Sequence, residues 1–274
     1  MKKVILEINK KEKTKLSKLL NYFDSVFYKF SEETICIEIY IEQESNDFYL
    51  INKLLKKDKY IIKKIKNQNW VKLTQNMDSG YQTRYFFFHQ NLNKSPKKIN
   101  KKKIIIPAGM AFGTGRHEST ELAIRLLEDI LRKESFYKPI DIGTGTGILT
   151  FVIKTFIKRK TYSTDLSIDS MNCFNYNKKI NNFNDVIFAR CSGIKAKVFQ
   201  GKEFDLIVAN LLLKEHKEII KSLCFQLKKK GILIISGILY SEKNYFVSIL
   251  RGFNLKFVKY SHIENWIGMV FKKN

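Results

Sequence analysis

The stretch that decides the fold is PIDIGTGTGILT, residues 139–150. A short apolar strand runs into a loop of alternating glycines and then into an apolar helix; the glycines are Gly143, Gly145 and Gly147. Glycine suits such a loop because the backbone must turn tightly and leave room for a cofactor, with no Cβ in the way. A dinucleotide loop, G-x-G-x-x-G, would need glycine where Ile148 stands. The spacing G-x-G-x-G after Asp141 instead favours S-adenosylmethionine, with a purely structural turn as the alternative.

A carboxylate follows this loop at an informative distance. Asp165 closes the next predicted strand, 22 residues after Gly143. A Rossmann-type fold places an acidic residue at about 20 residues, where its carboxylate accepts hydrogen bonds from ribose hydroxyls. The alternative is that Asp165 only caps the helix that begins near Ser167. Both interpretations place Asp165 at the same edge of the sheet.

The rest of the chain from Ile104 onward alternates apolar strands with helical patterns. This alternation predicts βα units around a parallel sheet, that is, an α/β fold. The predicted strands are Lys138 to Ile142, Thr161 to Thr164, Val186 to Arg190, Phe204 to Asn210, Gly231 to Ser236, Leu255 to Tyr260 and Trp266 to Phe271. The predicted helices are Glu118 to Arg132, Gly147 to Lys158, Ser167 to Asn181, Lys214 to Leu227 and Ser241 to Leu250.

The N-terminal part has a different organisation. Period-two alternation at Val4 to Ile8 and Thr34 to Ile41 predicts strands, and helical spacing from Leu16 to Phe23 predicts a helix. With the remaining segments, residues 1–68 predict the order β-α-β-β-α-β of a small ferredoxin-like α+β domain. Residues 69–103 are aromatic, then polar and lysine-rich, and predict a linker with a short strand or two. Residues 104–274 form the second predicted domain.

Two further segments carry candidate functional residues. Asn210 ends the strand in FDLIVANLLL, residues 204–213, where ligands bind in open α/β sheets. Its amide both donates and accepts, so it can hold an amine nucleophile; the alternative is a turn-forming Asn. The segment AFGTGRHEST, residues 111–120, predicts a pliable polar loop over the cofactor, or a helix N-cap at His117 or Ser119. His117 is a candidate base, although a lone His is more often structural.

The basic composition does not by itself identify a binding partner. Lys and Arg number 50 against 26 Asp and Glu, a net charge of +24, which is typical of a phosphate-binding protein. The basic residues are dispersed along the chain, so a solvated lysine surface and a functional basic face stand as equal alternatives. The longest apolar stretches, such as Gly231 to Tyr240, are far shorter than the roughly 20 residues that span a bilayer, so we expect no membrane segment.

Cysteine and histidine usage argues against metal sites and disulfides. None of the cysteines forms a C-x-x-C pair, and the histidines are isolated from one another in sequence. We therefore expect no metal and a reducing, cytoplasmic compartment. The cysteines are Cys36, Cys173, Cys191 and Cys224, and the histidines are His89, His117, His216 and His262.

Taken together, these segments resemble the ribosomal protein L-eleven methyltransferases (PrmA), a family of class I S-adenosylmethionine-dependent methyltransferases. The resemblance is in order and spacing and extends over essentially the whole chain: AFGTGRHEST at 111–120, DIGTGTGIL at 141–149, Asp165, FDLIVANLL at 204–212, KKGILIISGIL at 229–239 and the ending ENWIGMVFKKN. The sequence departs from the family pattern at Ala108, Arg116, Glu118 and Thr144.

The resemblance implies a Rossmann-like seven-stranded methyltransferase domain after a ferredoxin-like domain that recognises the substrate. It implies methyl transfer from S-adenosylmethionine to lysine or N-terminal amino groups of a large-subunit ribosomal protein. Carried over by position, the cofactor contacts are Thr120, Gly143, Asp165 and Asn210, and Gly145 belongs to the same loop. We expect a monomer, with at most weak contact to ribosomal RNA.

The predicted methyl transfer depends mainly on how the enzyme positions the donor and the amine. A methylsulfonium is already an activated donor, so the enzyme must align the nucleophile and receive the amine unprotonated. We therefore predict catalysis through Asn210 and backbone carbonyls rather than through a dedicated base. Two other functions stay open: a methyltransferase acting on RNA or another protein, and a non-catalytic ribosome- or RNA-binding module with the same fold.

Overall fold

A computed structural model describes residues 2–12, 15, 19, 26–31, 33–41, 47–55, 59–64, 80–90, 100–107 and 117–274. The chain divides into two units, Met1–Trp70 and Val71–Asn274. In the described part of the chain, no helix is both long and apolar enough to cross a membrane. Cys36, Cys173, Cys191 and Cys224 are free thiols.

The smaller unit contains an antiparallel sheet. Its elements are β1 (Lys2–Asn9), a 3-10 turn (Lys10–Glu12), β2 (Val26–Phe30), β3 (Thr34–Ile41), α1 (Asp47–Leu54) and β4 (Tyr60–Lys64). The strands lie in the order β2-β3-β1-β4, the order of a split βαβ module. Alternate residues of β1 and β3 pack with Ile51 and Leu55 because one face of the sheet is apolar. Most of the helix predicted at Leu16 to Phe23 lies outside the described residues.

Three short strands of the larger unit lie within the predicted linker or just beyond it. They are β5 (Tyr81–Gln82), β6 (Phe86–His89) and β7 (Lys102–Ile105), in the order β5-β6-β7. Phe86, Phe88 and Ile104 are buried in the core of the larger unit. The buried Glu128 also accepts hydrogen bonds from the Thr83 hydroxyl and the Tyr85 amide. These strands are therefore a packed layer of the larger unit, because their aromatic residues have an apolar surface to bury against.

The larger unit is built on a seven-stranded sheet. Its strands are β8 (Pro139–Ile142), β9 (Thr161–Asp165), β10 (Val186–Arg190), β11 (Phe204–Asn210), β12 (Leu227–Leu239), β13 (Leu255–Ile263) and β14 (Trp266–Lys273). Their order is β10-β9-β8-β11-β12-β14-β13, and β14 is the strand that runs antiparallel to its neighbours. The predicted α/β class and seven-stranded sheet are confirmed.

Helices cover both faces of this sheet. They are α2 (Glu118–Leu131), α3 (Ile148–Phe156), α4 (Ile168–Ile180), α5 (Leu213–Gln226) and α6 (Lys243–Gly252). Along β11, Leu206 and Val208 belong to the core formed with α2 and α3, whereas Ile207 and Ala209 belong to the core formed with α5 and α6. The strand order reverses direction at β8, and ligands of open α/β sheets bind at the carboxyl ends of the strands at such a switch point. The predicted site residues belong to this edge.

Candidate active site

The glycine loop leaves β8 in a conformation that few other residues adopt. Gly143, Gly145 and Gly147 have φ angles of 67°, 53° and 90°. These are left-handed values, at which a side chain costs roughly 1–2 kcal/mol. At Gly147 space is also limiting, because a Cβ there would lie 2.6 Å from the Phe151 ring and 2.8 Å from the Phe174 ring. The loop therefore needs glycine for its backbone and, at Gly147, for its packing.

Asp141 ties the loop to the helix that follows it. Its Oδ2 accepts hydrogen bonds from Thr144 Oγ1 at 2.6 Å, Thr150 Oγ1 at 2.7 Å and the Thr150 amide at 3.0 Å. The side chain is fully buried, and Oδ1 has no partner among the described residues. Burial raises the pKa of Asp141 to about 6, against the lowering effect of the hydrogen bonds from Thr144 and Thr150. The two threonines were not predicted as site residues, although hydroxyl residues beside a buried acid are the signal for such a network.

Asp165 connects the loop to the end of β9. Its Oδ2 accepts a hydrogen bond from the Gly145 amide at 2.9 Å, and its Oδ1 accepts one from the Ser167 amide at 2.9 Å. The N-cap of α4 is Ser167, whose hydroxyl accepts hydrogen bonds from the amides of Asp169 and Ser170. The alternative interpretation of Asp165 as the helix cap was therefore wrong. A carboxylate has about four acceptor positions, so roughly two stay available at the sheet edge.

Asn210 and Thr120 meet on the other side of β8. Asn210 Nδ2 donates a hydrogen bond to Thr120 Oγ1 at 3.2 Å, and Thr120 is fully buried in the first turn of α2. Asn210 Oδ1 is buried without a partner among the described residues. Gly237, with φ 83°, allows the backbone of β12 to pass close to Asn210, since a Cβ at Gly237 would lie 2.9 Å from Asn210 Oδ1. The amide is thus held by its nitrogen and keeps its oxygen as an acceptor.

His117 caps the helix that carries Thr120. Its Nδ1 accepts a hydrogen bond from the Ser119 amide at 3.2 Å, and its ring packs edge-on against Trp266 with 4.7 Å between centroids. Burial lowers its pKa, while Glu118 acts in the opposite direction. The N-cap interpretation of this segment is confirmed at His117. The rest of the predicted cover loop, residues 111–116, lies outside the described residues.

The two halves of the site adjoin each other at Gly143. A Cβ at Gly143 would lie 2.2 Å from Cδ2 of Leu211, the residue after Asn210. The structure thus brings the glycine loop and the Asn210–Thr120 pair together, with Asp165 on the far side of the loop. Among the described residues, no group of three or more His, Cys, Asp or Glu side chains could hold a metal ion.

The fold and this site define a class of protein. The strand order with an antiparallel β14, the G-x-G-x-G loop after Asp141 and the acid at the end of β9 are those of class I S-adenosylmethionine-dependent methyltransferases. The family model of the ribosomal protein L11 methyltransferases (PrmA) matches residues 3–274, and the chain belongs to this family.

Individual relatives agree with this assignment. The chain is 34% identical over 184 residues to a ribosomal protein L11 methyltransferase of Prochlorococcus marinus, covering 65% of this chain and 60% of the relative. The corresponding protein of Fusobacterium nucleatum is 32% identical over 179 residues, covering 65% and 56%. The chain thus spans 56–60% of the length of these curated relatives.

Among solved structures, the ribosomal protein L11 methylase of Lactobacillus delbrueckii subsp. bulgaricus superimposes with a TM-score of 0.63 at 27% identity. The superposition covers 70% of this chain and 97% of that chain. This agreement supports the fold assignment.

Proposed function

We propose that this chain is a protein methyltransferase that transfers methyl groups from S-adenosylmethionine to amino groups of ribosomal protein L11. The acceptors would be lysine side chains, the N-terminal amine, or both. The observation that carries the proposal is the Asn210–Thr120 pair, which leaves a buried amide oxygen free of described partners beside the glycine loop. Family membership and the names of the relatives support the substrate.

The residues at the sheet edge fit the cofactor. The left-handed glycines leave the backbone at Gly143 and Gly145 without side chains, as an adenosyl group lying against the loop requires. Asp165 retains acceptor capacity for ribose hydroxyls. We infer that these residues, with Thr120 and Asn210, hold the cofactor, which supplies an activated methyl group when bound.

Asn210 is the proposed catalytic residue. Because Nδ2 is engaged by Thr120, Oδ1 is the atom left to accept a hydrogen bond from the incoming amine. An amide oxygen selects the orientation of an N–H group and does not remove its proton. A lysine amine with a pKa near 10.4 must arrive neutral, and a desolvated site favours the neutral form. The proposed mechanism is therefore alignment without a dedicated base.

We further propose roles for the remaining parts of the chain. Residues 1–68 would recognise the ribosomal protein, residues 69–103 would connect the domains, and residues 104–274 would carry out methyl transfer. The enzyme would act as a cytoplasmic monomer, and its net charge of +24 would give at most a weak attraction to ribosomal RNA.

A label-transfer assay tests the proposal. Ribosomes and dissociated ribosomal proteins are incubated with the chain and cofactor carrying a radioactive methyl group. We expect label in the L11 band that survives ribonuclease treatment. Label that ribonuclease removes would instead identify an RNA methyltransferase. Failure to bind S-adenosylmethionine in calorimetry would identify a non-catalytic binding module.

A further inference from the structure

A buried histidine lies beneath the Asn210 segment and has no role in the proposed function. His216 lies on α5, on the helix face that otherwise buries Ile219, Ile220 and Leu223. Its side chain is fully buried, and its ring packs edge-on against Phe246, with 5.6 Å between centroids. An imidazole in an apolar position costs free energy unless it makes a specific hydrogen bond.

That hydrogen bond goes to the backbone of β12. His216 Nε2 lies 2.8 Å from the carbonyl oxygen of Ser236. A carbonyl only accepts, so Nε2 carries the hydrogen and Nδ1 is the unprotonated nitrogen. Nδ1 is buried without a partner among the described residues. Burial lowers the pKa of His216 to about 4, although the bond to Ser236 opposes this shift, so the ring is neutral at physiological pH.

Ser236 stands at an irregular point of the sheet. The pairing of β12 with β14 shifts register between Ile235 and Ile238, so Ser236 and Gly237 leave the ladder with β14, while Ser236 stays paired with Asn210 on β11. At such a bulge the regular ladder hydrogen bonds are interrupted. His216 supplies a hydrogen bond to the carbonyl at this point.

The same serine contacts both segments that hold Asn210. Its carbonyl oxygen also accepts a hydrogen bond from the Leu211 amide at 3.2 Å, and its hydroxyl donates one to the Ser119 carbonyl at 2.7 Å. Ser119 immediately precedes Thr120, the partner of Asn210 Nδ2. In addition, Ser236 is the register partner of Asn210 on the neighbouring strand. A displacement of Ser236 would therefore move Asn210 from two sides.

We propose that His216 is a positioning residue for methyl transfer, which holds the Ser236 carbonyl and through it orients the Asn210 amide. This inference rests on the proposed function, in which Asn210 aligns the amine. His216 itself would contact neither cofactor nor substrate. Small displacements of an aligning group lower turnover strongly, by up to about 100-fold per 1 Å.

The test compares two replacements with one control. His216→Leu fills the space without a donor, whereas His216→Gln places an amide donor near the position of Nε2. The control is Cys224→Ala, which removes a buried side chain from the same helix without touching the Ser236 carbonyl. For each folded variant, kcat, cofactor affinity by calorimetry and the amide spectrum of isotope-labelled protein are measured.

We expect His216→Leu to lower kcat roughly 10- to 100-fold. Cofactor affinity should change less than about threefold, which corresponds to less than the free energy of one hydrogen bond. The Leu211 amide and Asn210 side-chain amide signals should shift in this variant. His216→Gln should keep most of the turnover and near-native signals, and Cys224→Ala should lower only stability. Unchanged kcat per folded molecule, or unmoved Asn210 and Leu211 signals in His216→Leu, would overturn the proposal.

The nitrogen spectrum of the native imidazole provides a readout that does not depend on activity. The proposal requires a neutral His216 ring with hydrogen on Nε2, and a hydrogen on Nδ1 would overturn it. If His216→Leu does not fold, this tautomer and the retained turnover of His216→Gln decide the question. If the native chain methylates nothing, the proposed function fails. The tautomer of His216 and the amide signals of Asn210 and Leu211 in His216→Leu still test the positioning role in that case.

Discussion

Asn210 and Thr120, 90 residues apart in the chain, are joined by a hydrogen bond of 3.2 Å from Nδ2 to Oγ1. The bond fixes which end of the amide is engaged, and the buried Oδ1 is left without a described partner. In the proposed mechanism this arrangement would give the incoming amine an acceptor at a set position. The carboxyl end of β11 is thereby linked to the first turn of α2.

The first prediction concerns this amide. Asn210→Ala should lower kcat by roughly 100-fold, because the amine loses its aligning acceptor. Cofactor affinity should fall by only about fivefold, the equivalent of one hydrogen bond of ~1 kcal/mol. Single-turnover methyl transfer and calorimetry measure the two quantities.

A partly buried Asn elsewhere in the same unit is the control for this measurement. Asn181 holds the backbone amide and carbonyl of Ile105. Asn181→Ala should lower stability and leave kcat unchanged. Unaltered kcat in Asn210→Ala would contradict the catalytic assignment.

The second prediction concerns the acid at the end of β9. Asp165→Asn replaces one acceptor oxygen by a donor and removes the charge, so a single oxygen is left for the Gly145 amide, the Ser167 amide and the proposed ribose hydroxyls. Cofactor affinity should fall about 10- to 100-fold, since hydrogen bonds to a charged group contribute about 1.5–3 kcal/mol each. Asp169→Asn makes the same charge change at an exposed position of α4 and should bind cofactor normally. Equal affinities of the two variants would refute the ribose role.

The third prediction concerns the backbone of the glycine loop. Gly147→Ala should destabilise the larger unit by about 2–4 kcal/mol, because it combines a left-handed backbone with overlap against Phe151 and Phe174. Gly201 has a similar φ of 68°, but a Cβ there would meet no atom within 4 Å, so Gly201→Ala isolates the effect of the backbone conformation. That control should cost about 1–2 kcal/mol. Urea unfolding measures the free energy of unfolding of both variants. Equal losses in the two variants would contradict the packing argument.

The fourth prediction concerns pH. The pKa of Asp141 is raised to about 6 from 3.8 by burial, so the folded chain binds its proton more tightly than the unfolded chain does. The resulting stabilisation is full below about pH 4 and is lost as the pH rises through 6, a change of about 3 kcal/mol. Unfolding free energies of the native chain and of Asp141→Asn, measured from pH 4 to 7, should diverge with rising pH. Parallel curves would show that Asp141 does not titrate in this range.

Much of the larger unit could be predicted because its signals are local. Glycines at 143, 145 and 147 specify a left-handed loop, and the alternation of periods two and 3.6 specifies strands and helices. The predicted strand at Val186 to Arg190 and the predicted strand at Phe204 to Asn210 have the observed bounds. The strand at Gly231 is longer than predicted and begins at Leu227, since its lysines extend along exposed backbone before the apolar run.

The aromatic run at Phe86 to Phe88 carries a weaker local signal. A short apolar stretch in a polar neighbourhood has no period that distinguishes a connector from a packed strand. Its partners in the core come from β7 and α2, which a local pattern does not identify. The structure therefore assigns these residues to the larger unit.

By itself the sequence determined the α/β class, the glycine loop and the acid that follows it, because backbone conformation and hydrophobic period depend on neighbouring residues. Only the tertiary structure decided which side chains meet. It joined Asn210 to Thr120, assigned the capping of α4 to Ser167, and buried Asp141 and His216 where hydrogen bonds hold their side chains. Hydrogen bonds and pKa shifts depend on distances and burial across the sheet, and residues far apart in sequence set those distances.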